Sequence, residues 1–300
     1  MTREPFARRL ERDQVVVGDG GWGTMLFERG LEVGQCPEAF NLSRPEVIEH
    51  IAALYVESGA ELVTTNTFGG SPLKLAAYSM DGDTEAVNRA AVEAVRRAVG
   101  DRAWVSASVG PSGRLLTPFG DTEADELSRS FVRQIRALAA AGADLLCVET
   151  MTDLTEACLA VEAARQVAPH LPVLATMTFD ATPRGFFTVM GVTVSQAATA
   201  LTAAGADAVG SNCGNGSENM VAIAREYCAA TRAPVVIQSN AGLPENRAGE
   251  VHYPEGPQFM ADQARHLVEL GVRVIGGCCG STPEHIRAIR RVVDSLGSRD

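Results

Sequence analysis

The chain has 300 residues, 46% of them hydrophobic, enough for a large core, and a formal net charge of −11. That acidity, without any basic cluster, excludes a nucleic-acid surface, and aromatics at 5% exclude a base-stacking platform. No apolar run approaches the roughly 20 residues of a membrane span, and "MTREPFARRLERDQ" lacks an apolar signal core, so the reading is cytoplasmic. Eight short β-branched or apolar runs then follow in order. They are "VVVGDGG" from Val15, "ELVTTNTF" from Glu61, "AWVSASVG" from Ala103, "DLLCVET" from Asp144, "PVLATMTF" from Pro172, "DAVGSNCG" from Asp207, "PVVIQSNAG" from Pro234 and "RVIGGCCG" from Arg273. Between them lie stretches such as "PEVIEHIAALYVESGA" and "TEACLAVEAARQVA", with apolar residues at three- and four-residue spacing that predicts helices. The phrases "ESGAEL", "AAGADL", "AAGADA" and "ELGVRV" place Gly59, Gly142, Gly205 and Gly271 as helix C-caps that turn the chain into the next strand. Strands alternating with helices imply a parallel sheet. Eight units in this length predict a (β/α)8 TIM barrel, a single domain over residues 1–300. A doubly wound open sheet is the alternative, but no strong dinucleotide fingerprint follows the first strand.

In a barrel the carboxyl ends of all strands share one face, where active sites sit. Those ends carry "DGG", "TNTF", "VET", "SNCG", "SNAG" and "GGCCG". The adjacent pair Cys278 and Cys279 stands out, because neighbouring strand residues point to opposite faces. Both thiols can serve one site only on irregular backbone, which Gly276, Gly277 and Gly280 make available. Cys213 lies 65 positions before Cys278, too far for a zinc ribbon or finger. Strands six and eight share parity, however, and alternate strands fill the same interior layer. Cys213, Cys278 and Cys279 can therefore form three corners of a tetrahedron, a catalytic zinc arrangement with one open position. Buried apolar thiols are the plainer alternative. The remaining cysteines, Cys36, Cys147, Cys158 and Cys228, are scattered over a loop, a strand interior and two helices and read as non-ligands. Seven widely scattered cysteines in a cytoplasmic chain favour free thiols, metal ligands or catalysis over a disulfide framework.

"GGCCGSTPEHI" resembles the signature of the homocysteine S-methyltransferase family. "DGGWGTMLFERGL", "NLSRPEVIEHIAALYVESGAELVTTNTFGGS", "GADLLCVETMTDLTEA", "GSNCGNGSENM" and "QSNAGLPE" with "YPEGPQFMA" extend the resemblance over nearly the whole chain. It implies a zinc-dependent barrel, with zinc on Cys213, Cys278 and Cys279. It also implies that Asp19, Gly20, Thr67 and Glu149 line a homocysteine pocket. Zinc deprotonates a coordinating thiol outright, whereas a free thiol of pKa about 8.5 is mostly protonated at neutral pH. The substrate sulfur could then attack a methyl group in line without a general base. Glu149 is the natural partner for the substrate ammonium, with Asp19 a second acidic candidate, and the amides around Gly20, Gly21 and Thr67 could take its carboxylate. Asp19 has a plainer reading as a turn residue and Thr67 as strand chemistry, while a buried Glu149 needs a partner in any case. Asn240, ending strand seven, could fill zinc's open position before substrate arrives, or simply make a turn. Thr282 and Pro283 read as a helix start, and His285 as a surface or helix-start residue. The loop "CPEAFNL" is placed over the pocket.

The chain's end at Asp300 is read as leaving no room for an attached folate or cobalamin domain. "GSNCGNGSENM" looks closer to the homocysteine module of cobalamin-dependent methionine synthase than to the betaine enzyme. The expected donor is therefore methylcobalamin on a separate corrinoid protein. S-methylmethionine or betaine as donor, another acceptor thiol, and a non-catalytic zinc- and thiol-binding barrel are the alternatives.

Overall fold

A computed structural model describes residues 3–247 and 250–297. Eight parallel strands form one sheet: β1 (Val16–Val17), β2 (Leu62–Thr64), β3 (Trp104–Val109), β4 (Leu145–Met151), β5 (Val173–Met177), β6 (Ala208–Asn212), β7 (Val235–Ser239) and β8 (Val274–Gly277). The order runs β1-β8-β7-β6-β5-β4-β3-β2. The remaining edges meet through a parallel bridge between Gly18 and Leu62 and a bond from the Glu61 amide to the Val17 carbonyl (2.8 Å). The sheet is thus a closed (β/α)8 barrel, as the alternating pattern requires, and not an open doubly wound sheet.

The helices of the outer ring are α1 (Pro45–Glu57), α2 (Thr84–Val99), α3 (Ala124–Ala140), α4 (Leu154–Val167), α5 (Val194–Ala204), α6 (Ser217–Ala230), α7 (Pro257–Glu269) and α8 (Pro283–Gly297). Gly59, Gly142, Gly205 and Gly271 all have positive φ, between 83° and 107°, the left-handed turn that ends a helix. Asp153 caps α4 through the amides of Thr155 and Glu156, and Thr193 with Gln196 forms a capping box on α5. Two small hairpins (Asp180–Thr182 with Gly185–Phe187, and Glu245–Arg247 with Glu250–His252) extend the loops after β5 and β7. Among the described residues no helix is long and apolar enough to cross a membrane.

Strand alternation separates two cores. Residues such as Val105, Ala107, Val148, Ala175 and Ile237 face the helices and join the large core between the sheet and the helical ring. Val16, Leu62, Trp104, Leu145, Leu174, Val236 and Val274 point inward and fill the lower barrel. Phe6 and Leu10 of a short N-terminal helix plug that end, with the Phe6 ring edge-on to Trp104 at 5.2 Å. Going up the same inward-facing rows, the residues become polar: Ser106 and Ser108 on β3, Glu149 on β4, Thr176 on β5, Asn212 on β6 and Gln238 on β7. A buried polar layer must be hydrogen-bonded to be tolerated, so this end of the barrel is where chemistry can be placed.

Candidate functional site

Cys213, Cys278 and Cys279 come together at the carboxyl ends of the strands. Their sulfurs all lie within 4.8 Å of one another, and the Cys213 and Cys279 sulfurs are 3.9 Å apart. Sulfurs about 2.3 Å from one tetrahedral ion would lie roughly 3.8 Å apart, so this spacing suits a single ion. Strand parity contributes less to the approach than expected, because all three residues lie just beyond the regular strands. Cys213 follows the last residue of β6 in a left-handed conformation (φ 60°) that turns its side chain across the barrel mouth. The Cys278 amide still bonds to the Ser239 carbonyl (2.7 Å), and a turn follows in which Ser281 donates its hydroxyl to the Cys278 carbonyl (2.6 Å). Of the three glycines around the pair, Gly280 supplies the irregular backbone (φ 78°). Gly276 and Gly277 have another reason. A Cβ on Gly277 would stand 2.1 Å from Ser281 Oγ, so that glycine lets the turn after β8 fold back, and one on Gly276 would stand 3.0 Å from the Asp19 carbonyl, so that glycine lets the β1 and β8 ends approach.

Hydrogen bonds from the Cys278 and Cys279 thiols pull the Cys213 thiol well below the usual range, and the same contacts push Cys278 and Cys279 up. Three crowded sulfurs share one negative charge in this way. Three thiols are a soft donor set, suited to zinc or copper(I) and not to magnesium or calcium. Asn240 stands beside them, and its side chain adds a small pull to the lowering of the Cys213 thiol. Its Oδ1 is buried and has no hydrogen-bond partner among the described residues. An orphaned acceptor next to three thiols is what a site lacking its fourth partner would show.

Glu149 sits where β4 departs from regular pairing. Val148 pairs with Ala175 and Met151 with Met177, so β4 carries one extra residue, and Thr150 takes φ 59°. Such a bulge re-aims a side chain. Glu149 Oε1 accepts from the Ser108 hydroxyl, and Oε2 from Asn212 Nδ2 (3.3 Å). Asn212 is a hub: Nδ2 also donates to Thr150 Oγ1 (2.7 Å) and approaches Cys278 Sγ (4.0 Å). Its Oδ1 accepts from the Thr150 amide and the Thr176 hydroxyl, both at 2.7 Å. Burial pushes the Glu149 carboxyl up to about 7, against the pull of the Ser108 bond. Glu149 and the thiols therefore belong to one connected polar layer.

Asp19 is buried behind that layer. It accepts from Trp22 Nε1 (2.8 Å), the Thr64 amide (2.7 Å) and the Thr64 hydroxyl (3.0 Å), and burial raises it to about 6. Gly20 lies against the Cys278–Ser281 turn, where a Cβ would meet the Ser281 carbonyl at 2.8 Å and the Tyr55 ring at 2.9 Å. Thr67 is fully buried; its hydroxyl donates to the Ser108 carbonyl (2.7 Å) and shares a contact with Thr65 (2.6 Å). Two of the amides expected to receive a carboxylate are already committed, Gly21 to the Ser281 carbonyl (3.0 Å) and Thr67 to the Thr65 carbonyl (2.9 Å).

His285 starts α8 as expected but is buried, not on the surface. Thr282 does not cap the helix through its hydroxyl. That hydroxyl meets Glu284 (2.7 Å) and His285 Nδ1 (2.9 Å) instead. Cys36, Cys147, Cys158 and Cys228 stand apart from the three-thiol group; Cys36 donates to Glu38 (3.3 Å). The "CPEAFNL" loop is bound to the β2 loop, with Glu38 accepting from the Gly69 amide (2.6 Å) and Asn41 donating to the Asn66 carbonyl (2.7 Å). Ser108, Asn212 and Tyr253 are the site neighbours that the sequence did not single out. Asn212 had a signal, the residue before Cys213 in "SNCG", but its partners on β4 and β5 depend on three-dimensional register.

Comparison with known proteins agrees with this geometry. The family profile described as homocysteine S-methyltransferase matches residues 16–293. The chain is 33% identical to the methionine synthase of Mycobacterium leprae over 93% of its length, and 33% identical to that of Mycobacterium tuberculosis over 94%. It spans 24% and 25% of those two proteins, about a quarter of their length. Among solved structures, the homocysteine methyltransferase MmuM from Escherichia coli superposes with a TM-score of 0.78 in its metallated form and 0.79 in its oxidized form. Sequence identity is 23% and 24%, and each match covers 96% of this chain and 99% of the other. That likeness bears on the fold; the profile match over most of the sequence bears on descent. The chain belongs to the homocysteine S-methyltransferase family.

Proposed function

We propose that this barrel, residues 1–300, methylates homocysteine to methionine at a zinc site formed by Cys213, Cys278 and Cys279. The observation that carries the reading is the convergence of three thiols from two remote loops within 4.8 Å, beside an unpartnered Asn240 oxygen. Bound there, zinc would hold the three thiols and an incoming substrate thiol in their deprotonated forms at neutral pH. Asn240 Oδ1 would occupy the remaining position until the substrate thiol displaces it. Glu149 binds the substrate ammonium, which replaces the proton that burial otherwise keeps on its carboxyl near pH 7. Ser108 and Asn212 hold that carboxylate in place. Asp19, Gly20 and Thr67 shape the wall behind it. In the transfer itself a new sulfur–methyl bond forms as the donor–methyl bond breaks, and the bonding pair leaves with the donor. The thiolate already lacks its proton, so no side chain has to act as a general base.

The donor in this reading is methylcobalamin, favoured by the higher identity to methionine synthases than to MmuM. Purified protein, homocysteine and one donor at a time is the deciding assay. Methionine should form with methylcobalamin. Turnover with S-methylmethionine or betaine alone would overturn the donor, and none with any donor would leave a non-catalytic thiol-binding barrel.

A further inference from the structure

The segment that follows β7 knits the two thiol loops together. The Asn240 amide donates to the Asn215 carbonyl (3.1 Å) in the Cys213 loop, and the Ala241 amide to the Cys279 carbonyl (3.0 Å). The Glu255 amide donates back to the Ala241 carbonyl (2.9 Å). Glu255 then reaches both sides. Its Oε2 accepts from the amide (2.9 Å) and hydroxyl (2.5 Å) of Ser217, which starts α6 just after the Cys213 loop. Its carbonyl meets His285 Nε2 (2.9 Å), in the first turn of α8 just after the Cys278–Cys279 turn. His285 Nδ1 accepts from the Thr282 amide (3.1 Å), so Nε2 carries the proton and donates it to Glu255. Gly216 makes room for the carboxylate, since a Cβ there would lie 2.2 Å from Glu255 Oε1. Tyr253 lies against Gly280, where a Cβ would come within 2.1 Å of its ring.

We propose that Glu255 and His285 are positioning residues of the three-thiol site. Neither is a ligand. Glu255 clamps one thiol loop with its side chain and the other with its carbonyl, and His285 completes the second clamp. Together they hold Cys213 at metal-binding distance from Cys278 and Cys279. Without the clamp, the loops must be ordered when the metal binds, and that ordering opposes binding. The inference rests on the zinc reading of the site and extends it to residues outside the ligand set.

The test is zinc affinity, measured by chelator competition on the purified protein and its variants. Partners that orient metal ligands are typically worth about 10- to 100-fold in affinity, so Glu255→Ala and His285→Ala should each weaken zinc binding by roughly that factor. Glu255→Gln should recover most of the loss, because its amide oxygen can still accept from Ser217. Cobalt substituted for zinc should show weakened thiolate-to-cobalt absorption in Glu255→Ala at equal metal concentration. A purely structural role would lower the melting temperature of the metal-free protein yet leave zinc affinity within about twofold, and that result overturns the proposal. Should Glu255→Ala fail to fold, Ser217→Ala and His285→Ala decide by the same criterion. If the parent protein itself binds no zinc, the metal reading and this inference fall together; if the parent binds and the variants match it, this inference alone falls.

Discussion

Replacing Glu149 with glutamine separates its binding role from its structural one. The side chain keeps nearly the same shape but loses a charge that would face the substrate ammonium. A charge-assisted hydrogen bond is worth about 1.5–3 kcal/mol, so homocysteine affinity should fall by roughly ten- to more than a hundred-fold. The same substitution should act on stability in the opposite direction. Burial raises the folded-state value to about 7, while Asp19 and Cys213 face the same carboxyl and oppose its ionisation. The unfolded chain releases this proton near pH 4.3, about the ordinary glutamate value. Stability contributed by this residue is therefore lost as pH rises from about 4.3 to 7 and is constant above that. Glutamine has no such proton, so the substrate-free variant should gain on the parent across that window. The gain is on the order of 4 kcal/mol at most by the linkage of about 1.4 kcal/mol per pH unit. It is reduced because one amide donor must then face Asn212 Nδ2 or Ser108 Oγ. Calorimetric binding of homocysteine and of a simple thiol without an amino group, with melting curves from pH 4 to 8, reads both effects. Homocysteine affinity of the parent should rise relative to the simple thiol as pH increases through the Glu149 ionisation, and that relative rise should be absent from Glu149→Gln. Zinc content should not change. Loss of zinc, or equal weakening of both thiols, would refute the ammonium assignment and make Glu149 a support of the metal site.

Cys213→Ser, Cys278→Ser and Cys279→Ser should each reduce bound zinc, measured by metal analysis after dialysis; full zinc in all three would remove the site. Zinc should also dissociate from the parent as pH falls, since the ligands must be deprotonated. X-ray absorption should show homocysteine replacing an oxygen or nitrogen neighbour of the metal with sulfur at about 2.3 Å, and an unchanged shell would place the substrate thiol elsewhere. Gly280→Ala forces a side chain into the Tyr253 ring at φ 78° and should lower both melting temperature and zinc affinity. Gly271→Ala, at φ 83° with open space around it, should cost only backbone strain of about 1 kcal/mol and leave zinc binding intact, the contrast to be read by melting and chelator competition.

The barrel was legible because each unit repeats the same local physics. An apolar run pairs as a strand, an amphipathic stretch covers it, and a left-handed glycine such as Gly59 or Gly205 reverses the chain. The thiol group was legible one level up. Nothing local links Cys213 to Cys278, but a closed barrel sends both strand ends to one mouth. What sequence could not show depends on register and on loop-to-loop contact. The extra residue at Glu149 and Thr150 exists only relative to β5, and no residue type marks it. His285 reads as a polar residue at a helix start, and its burial follows from the Glu255 carbonyl, delivered by a distant loop. Gly276 and Gly277 read as conformational glycines, whereas their need is for close approach, of Gly276 to the β1 end and of Gly277 to Ser281.

The titration behaviour of the mouth shows why it should select cations. Asp19 and Glu149 are both held up by burial, and Cys278 and Cys279 are held up first by their hydrogen bonds to the Cys213 sulfur, with burial and its charge adding to this. Each group retains its proton because ionising next to the others in a low-dielectric pocket is unfavourable. A dication at the sulfurs and an ammonium at Glu149 would each replace protons with fixed positive charge. Binding either one makes the remaining acids easier to ionise, so the two ligands should bind cooperatively. Homocysteine carries the ammonium and the thiol on one molecule, and a thiol lacking the ammonium can use only half of that coupling. On this reasoning zinc loading should strengthen homocysteine binding more than it strengthens binding of a simple thiol without an amino group. Equal gains for the two thiols would mean that the metal and Glu149 act independently.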